Sequence, residues 1–423
     1  MKIFWLILLA AVLLLALASC GEEPEVATVY TAEYSQPSPT PAPTVIPTPT
    51  PEPTPTLITP SAEPREIPCF ICPSYDWIAS LTLREKIGQL IMPRLPWQAT
   101  QVTPAIAQWL EDYPVGGIIL FSDNVVSIQQ VQALTADLQA AASYTLFIAT
   151  DEEGGRVSRI GRLFTPILPA YEIGRTGDPN EAFEAGREIG ERLLYLGINM
   201  NFAPVADVWT NPANTVIGNR AFGRDPDTVS LMITEAIRGL NSAGVISVIK
   251  HFPGHGDTYE DSHYLLAVYP HNRERFNEIE APPFIAGIEA GTDGVMIGHI
   301  ATPQLQNPTA PVEWMEPWLS SGTLPATFSD FWLQDVLRME MDFRGLIITD
   351  ALEMRALTDH FTPAEIAVGA FLAGADILLM PTDVPATFNA LIQAFEDGLF
   401  DEERLHESLQ RIFWAHQDLY QRR

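Results

Sequence analysis

The sequence predicts an α/β fold, a (β/α)8 barrel, carried behind a disordered Pro/Thr-rich stalk. Three features point there. Short Ile/Val/Leu runs recur from about Ile87 onward, amphipathic stretches of helical spacing separate them, and polar side chains collect just after the runs. Parallel strands buried on both faces read as near-continuous apolar runs. The eight runs are Ile87 to Leu95, Val115 to Phe121, Thr145 to Thr150, Ile198 to Ala203, Val245 to Lys250, Gly294 to Ile300, Leu346 to Thr349, and Ala375 to Met380. Between them, Ser127 to Ala142 places Val131, Leu134 and Leu138 at helical spacing, and Asn180 to Leu196 follows an Asp-Pro turn. A doubly wound sheet is the alternative, but no Gly-x-Gly-x-x-Gly follows the first run to mark a dinucleotide site.

Ahead of the barrel, residues 1–20 read as a signal segment: Lys2, an apolar run from Ile3 to Leu17, then Leu17-Ala18-Ser19-Cys20. The run is shorter than the roughly 20 residues of a spanning helix. Its end resembles a bacterial lipobox, which makes Cys20 the candidate lipid anchor; an ordinary signal peptide is the alternative. The resemblance implies a chain held at the bacterial cell membrane by lipid alone, facing the extracellular or periplasmic side. Residues 21–65 are Pro/Thr-rich, as in Pro37-Ser38-Pro39-Thr40-Pro41, and such a segment favours extended polyproline II over a packed core. Residues 66–423 form the expected catalytic domain, with no second domain expected after the barrel. Cys69 and Cys72 are spaced for a small structural disulfide, since Pro68 and Pro73 bracket them and no thioredoxin-like pattern surrounds them. The net charge of -29 disfavours nucleic acid and acidic membrane surfaces as partners, and favours a neutral ligand.

Barrel active sites are built from loops at the carboxyl ends of strands, and the polar residues obey that demand. Asp151-Glu152-Glu153-Gly154-Gly155-Arg156 follows the third run, Pro204-Val205-Ala206-Asp207 the fourth, Lys250-His251 the fifth, His299 the sixth and Asp350 the seventh. A single Asp in such a place is as readily a helix N-cap, and a rim of stabilising salt bridges could account for several. The densest stretch is Lys250-His251-Phe252-Pro253-Gly254-His255-Gly256-Asp257-Thr258, followed by Asp261-Ser262-His263, and it is expected to be a loop. His251 and His255 have the spacing of a metal-binding helix, but Pro253, Gly254 and Gly256 oppose a helix and Lys250 would repel a cation. No metal or cofactor is expected. Glycoside hydrolysis requires a carboxylate at the anomeric carbon, a proton donor for the leaving oxygen, and groups that grip hydroxyls. Asp350 suits the first role; Asp151, Arg159, Arg220, Lys250 and His251 suit the last.

From about Leu81 onward the chain resembles the glycoside hydrolase family 3 β-N-acetylhexosaminidases, the NagZ-like branch. Asp151 to Val157 is similar to that family's Asp-x-Glu-Gly-Gly-Arg-Val segment, with Arg159 at its second arginine. Arg220-Ala221-Phe222-Gly223 is similar to its Arg-Ser-Phe-Gly turn, and Lys250 to Gly256 to its Lys-His-Phe-Pro-Gly-His-Gly signature. Asp261-Ser262-His263 matches its dyad, and Ile348 to Met354 its nucleophile segment. The resemblance implies Asp350 as the nucleophile of a retaining reaction, His263 as general acid and base oriented by Asp261, and Asp151, Arg159, Arg220, Lys250 and His251 as binders of terminal N-acetylglucosamine. A histidine suits proton transfer near neutrality, and Gly254 and Gly256 are expected to act as hinges that let it swing in. Ala351 replaces a second Asp of some relatives, and Leu265 to Tyr269 replaces the family's Leu-Pro, so the loop exit is expected to differ.

The implied reaction removes terminal β-linked N-acetylglucosamine from peptidoglycan fragments or chitin oligomers, by a monomer. Two alternatives stay open: phosphorolysis, because a histidine repels phosphate less than a carboxylate does, and a cell-wall sugar-binding lipoprotein without catalysis.

Overall fold

Alternation of apolar strands with capped helices builds the domain. The computed structural model describes residues 73–422 apart from 308, 309 and 311. The signal segment, Cys20, the stalk of residues 21–65, and Cys69 and Cys72 lie outside the described residues. In chain order the strands are β1 Ile91–Met92, β2 Gly117–Ile119, β3 Phe147–Thr150, β4 Glu152–Gly154, β5 Val157–Ser158, β6 Met200–Asn201, β7 Ile246–Phe252, β8 Ala267–Val268, β9 Gly294–Ile297, β10 Ile300–Ala301, β11 Leu346–Thr349 and β12 Leu378–Leu379.

A parallel six-stranded sheet runs β11-β9-β7-β6-β3-β2, and β1 pairs in parallel with β12, Ile91 opposite Leu378. Backbone bonds join the two sheets. Ile119 N–H donates to Pro93 O at 3.0 Å beside the Arg94–Ile119 bridge, and Thr349 N–H donates to Ile377 O at 3.0 Å beside the Ile348–Ile377 bridge. This is a TIM-barrel-like α/β arrangement: parallel strands whose both faces are buried, with helices covering the outside. Ile148, Val248, Ile249, Ile297, Ile347 and Ile348 are all fully buried in it.

The helices start where the sequence supplies caps. Ser127 Oγ accepts from Gln130 N–H ahead of Ile128–Ala141, and the Asp178 carboxylate accepts from Asn180 N–H ahead of Pro179–Tyr195. Pro179–Tyr195 packs closely on Pro226–Ala243. A Cβ at Gly239 would lie 2.2 Å from Phe183 O, so only glycine lets the two backbones approach this far.

Two of the expected runs are corrected. Ile87 to Leu95 is divided, because Thr82 and Glu85 form a capping box that opens a helix at Leu83–Gln89, leaving Ile91–Met92 as the strand. Gly294 to Ile300 is also split: β9 stays in the main sheet, while β10 pairs with β8 through Ile300 and Ala267. Leu346 to Thr349 matches its strand end to end. Among the described residues no helix is long and apolar enough to cross a membrane.

At the amino ends of the strands, buried carboxylates tie the C-terminal helix Glu402–Arg422 and its neighbours down. Asp376 accepts from Arg338 Nη2 at 2.6 Å, Arg411 Nη1 at 2.9 Å, Ser408 Oγ at 2.6 Å and Ile347 N at 2.9 Å. Asp293 accepts from both terminal nitrogens of Arg422, at 2.7 and 2.9 Å.

Candidate active site

The carboxyl ends of the strands hold a second set of buried charges. Beyond β3 the chain places Asp151 and then turns back on itself, β4 pairing with β5 in antiparallel fashion. Gly154 and Gly155 make that turn at φ +82° and +57°, a region open to glycine. Alternation along β4 sends successive carboxylates opposite ways. Glu152 turns to Ser158 and to the Ile160 N–H, whereas Glu153 lines a cavity at this end of the sheet with its side chain 4% exposed. There it accepts from Arg220 Nε and Nη2, both at 2.8 Å, in a bidentate pair.

Lys250 completes this group. Its side chain is 2% exposed, and Nζ lies 2.7 Å from Asp151 Oδ1 and 2.7 Å from Glu153 Oε1. Burial alone would lower the Lys250 pKa, but Asp151 and Glu153 outweigh it and raise it, so the ammonium keeps its protons. Burial likewise pushes Glu153 up, and Arg220 and Lys250 overcome it, holding the carboxyl well below its usual range. Arg159 approaches Asp151 from the other side at 3.7 Å while its guanidinium lies over the Phe121 ring, 5.1 Å from the centroid.

His251 has a defined proton arrangement. Its Nδ1 is 2.7 Å from Asp207 Oδ2, and its Nε2 is 3.3 Å from Arg220 Nη2. A guanidinium only donates and a carboxylate only accepts, so the partners assign the proton to Nδ1 and a lone pair to Nε2. Burial raises the Asp207 pKa, but His251 and then the His255 N–H at 2.6 Å bring it below the ordinary value.

Asp350 follows β11 and is half-buried, with Ala351 N–H donating to Oδ1 at 2.7 Å. Burial raises its pKa; His251, His299, the Ala351 N–H and His263 reverse that and bring it to about 2. His299 holds the adjoining backbone, its Nε2 3.0 Å from Ala351 O and its Nδ1 2.7 Å from Thr327 Oγ1. Asp261 and His263 lie on the exposed turn after Thr258, with His263 Nδ1 2.8 Å from Asp261 Oδ1. The carboxylate also accepts the His263 N–H at 3.0 Å.

Asp151, Arg159, Arg220, Lys250, His251, His263 and Asp350 all line one cavity of about 250 Å³, together with Phe121, Arg94 and Glu353. Asp261 stands behind His263 and is not part of the lining. Two expectations about the central segment are corrected. Lys250, His251 and Phe252 belong to β7 and not to a loop, because the strand continues past Lys250 to its partner β9. Gly254 and Gly256 are not hinges: a Cβ at Gly256 would lie 1.9 Å from Val208 O, and the stretch from His251 to Gly256 is buried. The exposed part of the segment is the turn carrying Tyr259, His263, Tyr264 and Leu265.

Glu153, Asp207 and His299 were given no individual role in the sequence. Each stands in a polar group after a strand, which was their only signal; their partners, Arg220, His251 and Ala351, are set by the fold.

Comparison with known proteins gives the chain a family. The family described as glycosyl hydrolase family 3 N terminal domain matches residues 82–415. A protein of Pseudoalteromonas piscicida named beta-hexosaminidase A is 37% identical over 74% of this chain and 55% of its own length. A beta-hexosaminidase of Stenotrophomonas maltophilia (strain K279a) is 36% identical over 66% of this chain and 80% of its own. The structure of a glycoside hydrolase family 3 beta-N-acetylglucosaminidase from Paenibacillus sp. str. FPU-7 superposes with a TM-score of 0.75 at 38% identity, covering 81% of this chain and 63% of that one. The chain therefore spans little more than half the length of the first relative and under two thirds of the Paenibacillus structure. The chain belongs to the glycosyl hydrolase family 3 N-terminal domain family.

Proposed function

We propose that the protein is a retaining β-N-acetylhexosaminidase that removes terminal β-linked N-acetylglucosamine from peptidoglycan fragments or chitin oligomers. One observation carries the reading. An ionised carboxylate, Asp350, and an imidazole oriented by a carboxylate, His263 with Asp261, line the same cavity, whose remaining wall consists of fixed donors and acceptors. The names of the relatives at 36–38% identity support the sugar.

In the first step Asp350 attacks the anomeric carbon, the glycosidic C–O bond breaks, and His263 gives its proton to the leaving oxygen. In the second, water attacks the glycosyl-Asp350 ester, His263 takes the water's proton, and Asp350 departs with configuration retained. Asp151 accepts from sugar hydroxyls; Lys250, Arg220 and Arg159 donate to them; His251 accepts through Nε2, exchanging its 3.3 Å contact with Arg220 Nη2 for a sugar hydroxyl. The joined sheets are read as one closed eight-stranded barrel that fixes these groups on neighbouring strands. Cys20 is proposed as a lipid anchor holding the enzyme, as a monomer, on the outward side of a bacterial membrane.

Release of 4-nitrophenol from its β-N-acetylglucosaminide, abolished in Asp350→Asn, tests the reading. Mass spectrometry of products from chitobiose and from muropeptides, with and without phosphate, identifies the acceptor. Sugar 1-phosphate as product would replace hydrolysis by phosphorolysis, and binding without turnover would leave a sugar-binding protein.

A further inference from the structure

Between Tyr259 and Leu265, the turn that carries Asp261 and His263, every residue but one is exposed or half-buried. The His263 side chain is 61% exposed, yet Ser262, between the two, is 2% exposed and its Oγ lies 3.0 Å from Nε2 of His255. His255 is itself fixed. Its ring is buried, its backbone N–H donates to Asp207 at 2.6 Å, and its carbonyl accepts from Asn214 Nδ2 at 2.7 Å.

Thr258 Oγ1 lies 2.9 Å from the His255 carbonyl and 2.5 Å from His255 Nδ1. A hydroxyl both donates and accepts, so the contact between Ser262 Oγ and His255 Nε2 is a hydrogen bond in either tautomer of the ring. Burial lowers the His255 pKa to about 4 against the pull of Asp207, so the ring is uncharged at neutral pH.

We infer that His255 and Ser262 form a latch that holds the Asp261–His263 pair over the cavity, with His255 as the fixed post and Ser262 as a positioning residue on the turn. The inference rests on the reading of His263 as proton donor. The latch governs proton delivery and leaves sugar binding to side chains anchored through Glu153 and Asp207. Within the turn, Tyr264 N–H and Leu265 N–H donate to Asp261 O at 2.9 Å, so the turn keeps its shape without Ser262. Arg355 N–H reaches His263 O at 3.3 Å, so losing the Ser262 hydroxyl loosens the turn without detaching it.

Ser262→Ala in the full chain tests this. On chitobiose, whose leaving alkoxide requires a proton, kcat is expected to fall about 10- to 100-fold while KM stays within about twofold. With 4-nitrophenyl β-N-acetylglucosaminide, whose phenolate departs without a proton, the pre-steady-state burst keeps within about threefold of wild type. Ser262→Thr, retaining a hydroxyl, restores most of the chitobiose rate. Equal loss in both first steps, a rise in KM with unchanged kcat, or no loss on chitobiose would overturn the latch. Should the wild type cleave neither substrate, the hydrolase reading fails, and amide hydrogen exchange decides the latch: Ser262→Ala speeds exchange across Tyr259–Leu265 if it exists and leaves it unchanged if it does not.

Discussion

Both ends of the strands bury clusters of charge, and the two clusters are built to different ends. At the amino end, Asp376 takes Arg338, Arg411, Ser408 and the Ile347 N–H, and its side chain is wholly enclosed. At the carboxyl end, Lys250 has three N–H groups and gives two to Asp151 and Glu153, leaving one toward the cavity. His251 lines the same cavity, with its Nε2 lone pair turned to Arg220 Nη2 at 3.3 Å. A buried carboxylate saturated by donors of its own chain ties elements together, although Arg338 Nε is left without a partner among the described residues; a network whose spare donor lines a cavity is ready for a ligand's hydroxyls. The nearby hollow at the amino end makes the same point. It measures about 450 Å³ and is lined by Trp77, Tyr144, Phe413 and His416, aromatic surface without a cluster of charges.

Replacing one residue at a time should separate the two ends, and the largest effect is expected from Asp350→Asn. That change lowers kcat by at least about 1,000-fold, since the amide does not form the glycosyl ester, while the melting temperature shifts little. Asp376→Ala gives the opposite pattern. Leaving Arg338 and Arg411 buried without their carboxylate costs about 3–5 kcal/mol in urea unfolding, with kcat per folded molecule unchanged. An activity loss in Asp376→Ala larger than its unfolded fraction would break the division between the ends.

Asp207→Asn comes next. The Asn carbonyl still accepts the His255 N–H, but its NH2 faces His251 Nδ1 and moves the ring proton to Nε2, against Arg220. A fall in kcat/KM of about tenfold is expected, from one hydroxyl acceptor lost, together with a changed His251 tautomer in 15N spectra.

The smallest effect belongs to His416. It stacks on Phe147 at 3.8 Å and 5°, its Nε2 finds no hydrogen-bond partner among the described residues, and burial lowers its pKa to about 4. A base depressed in the folded state leaves the unfolded chain binding more protons between its ordinary pKa near 6.5 and about 4, so stability falls as pH drops through that window. His416→Phe should remove about 1 kcal/mol of that acid-side loss between pH 7 and pH 5.5, measured by urea melts at both. An unchanged pH slope would mean that the ring is solvated or charged in the folded protein.

Much of the site was legible because barrel chemistry follows strands in the chain: Asp151, Lys250, His251 and Asp350 each come directly after an apolar run or close one. His263 as proton donor depended on the family resemblance; Arg159 and Arg220 were legible as forked groups able to grip hydroxyls, and only the resemblance tied them to one sugar subsite. Glu153 and Asp207 acquire meaning only from partners 67 and 44 residues away. The glycines of the central segment were misread for a related reason. Gly256 has no Cβ because Val208 O occupies its place, and a close approach between distant segments looks, in sequence, the same as freedom to bend. Ile87 failed differently, since a short apolar run has one composition whether it ends a helix or starts a strand. The amino-end network was invisible, being assembled from residues 338, 376 and 411.

The cavity wall also settles how ionic strength should act on this chain. Arg94, Arg159, Arg220 and Lys250 line it opposite Asp151, Glu153, Asp350 and Glu353, so its formal charges cancel although the whole chain carries -29. A neutral saccharide carries no charge to be steered toward this wall, so salt has little effect on its encounter. A fragment bearing peptide carboxylates still has to cross the negative potential of the rest of the surface, and for such substrates counter-ions become an accelerant of encounter.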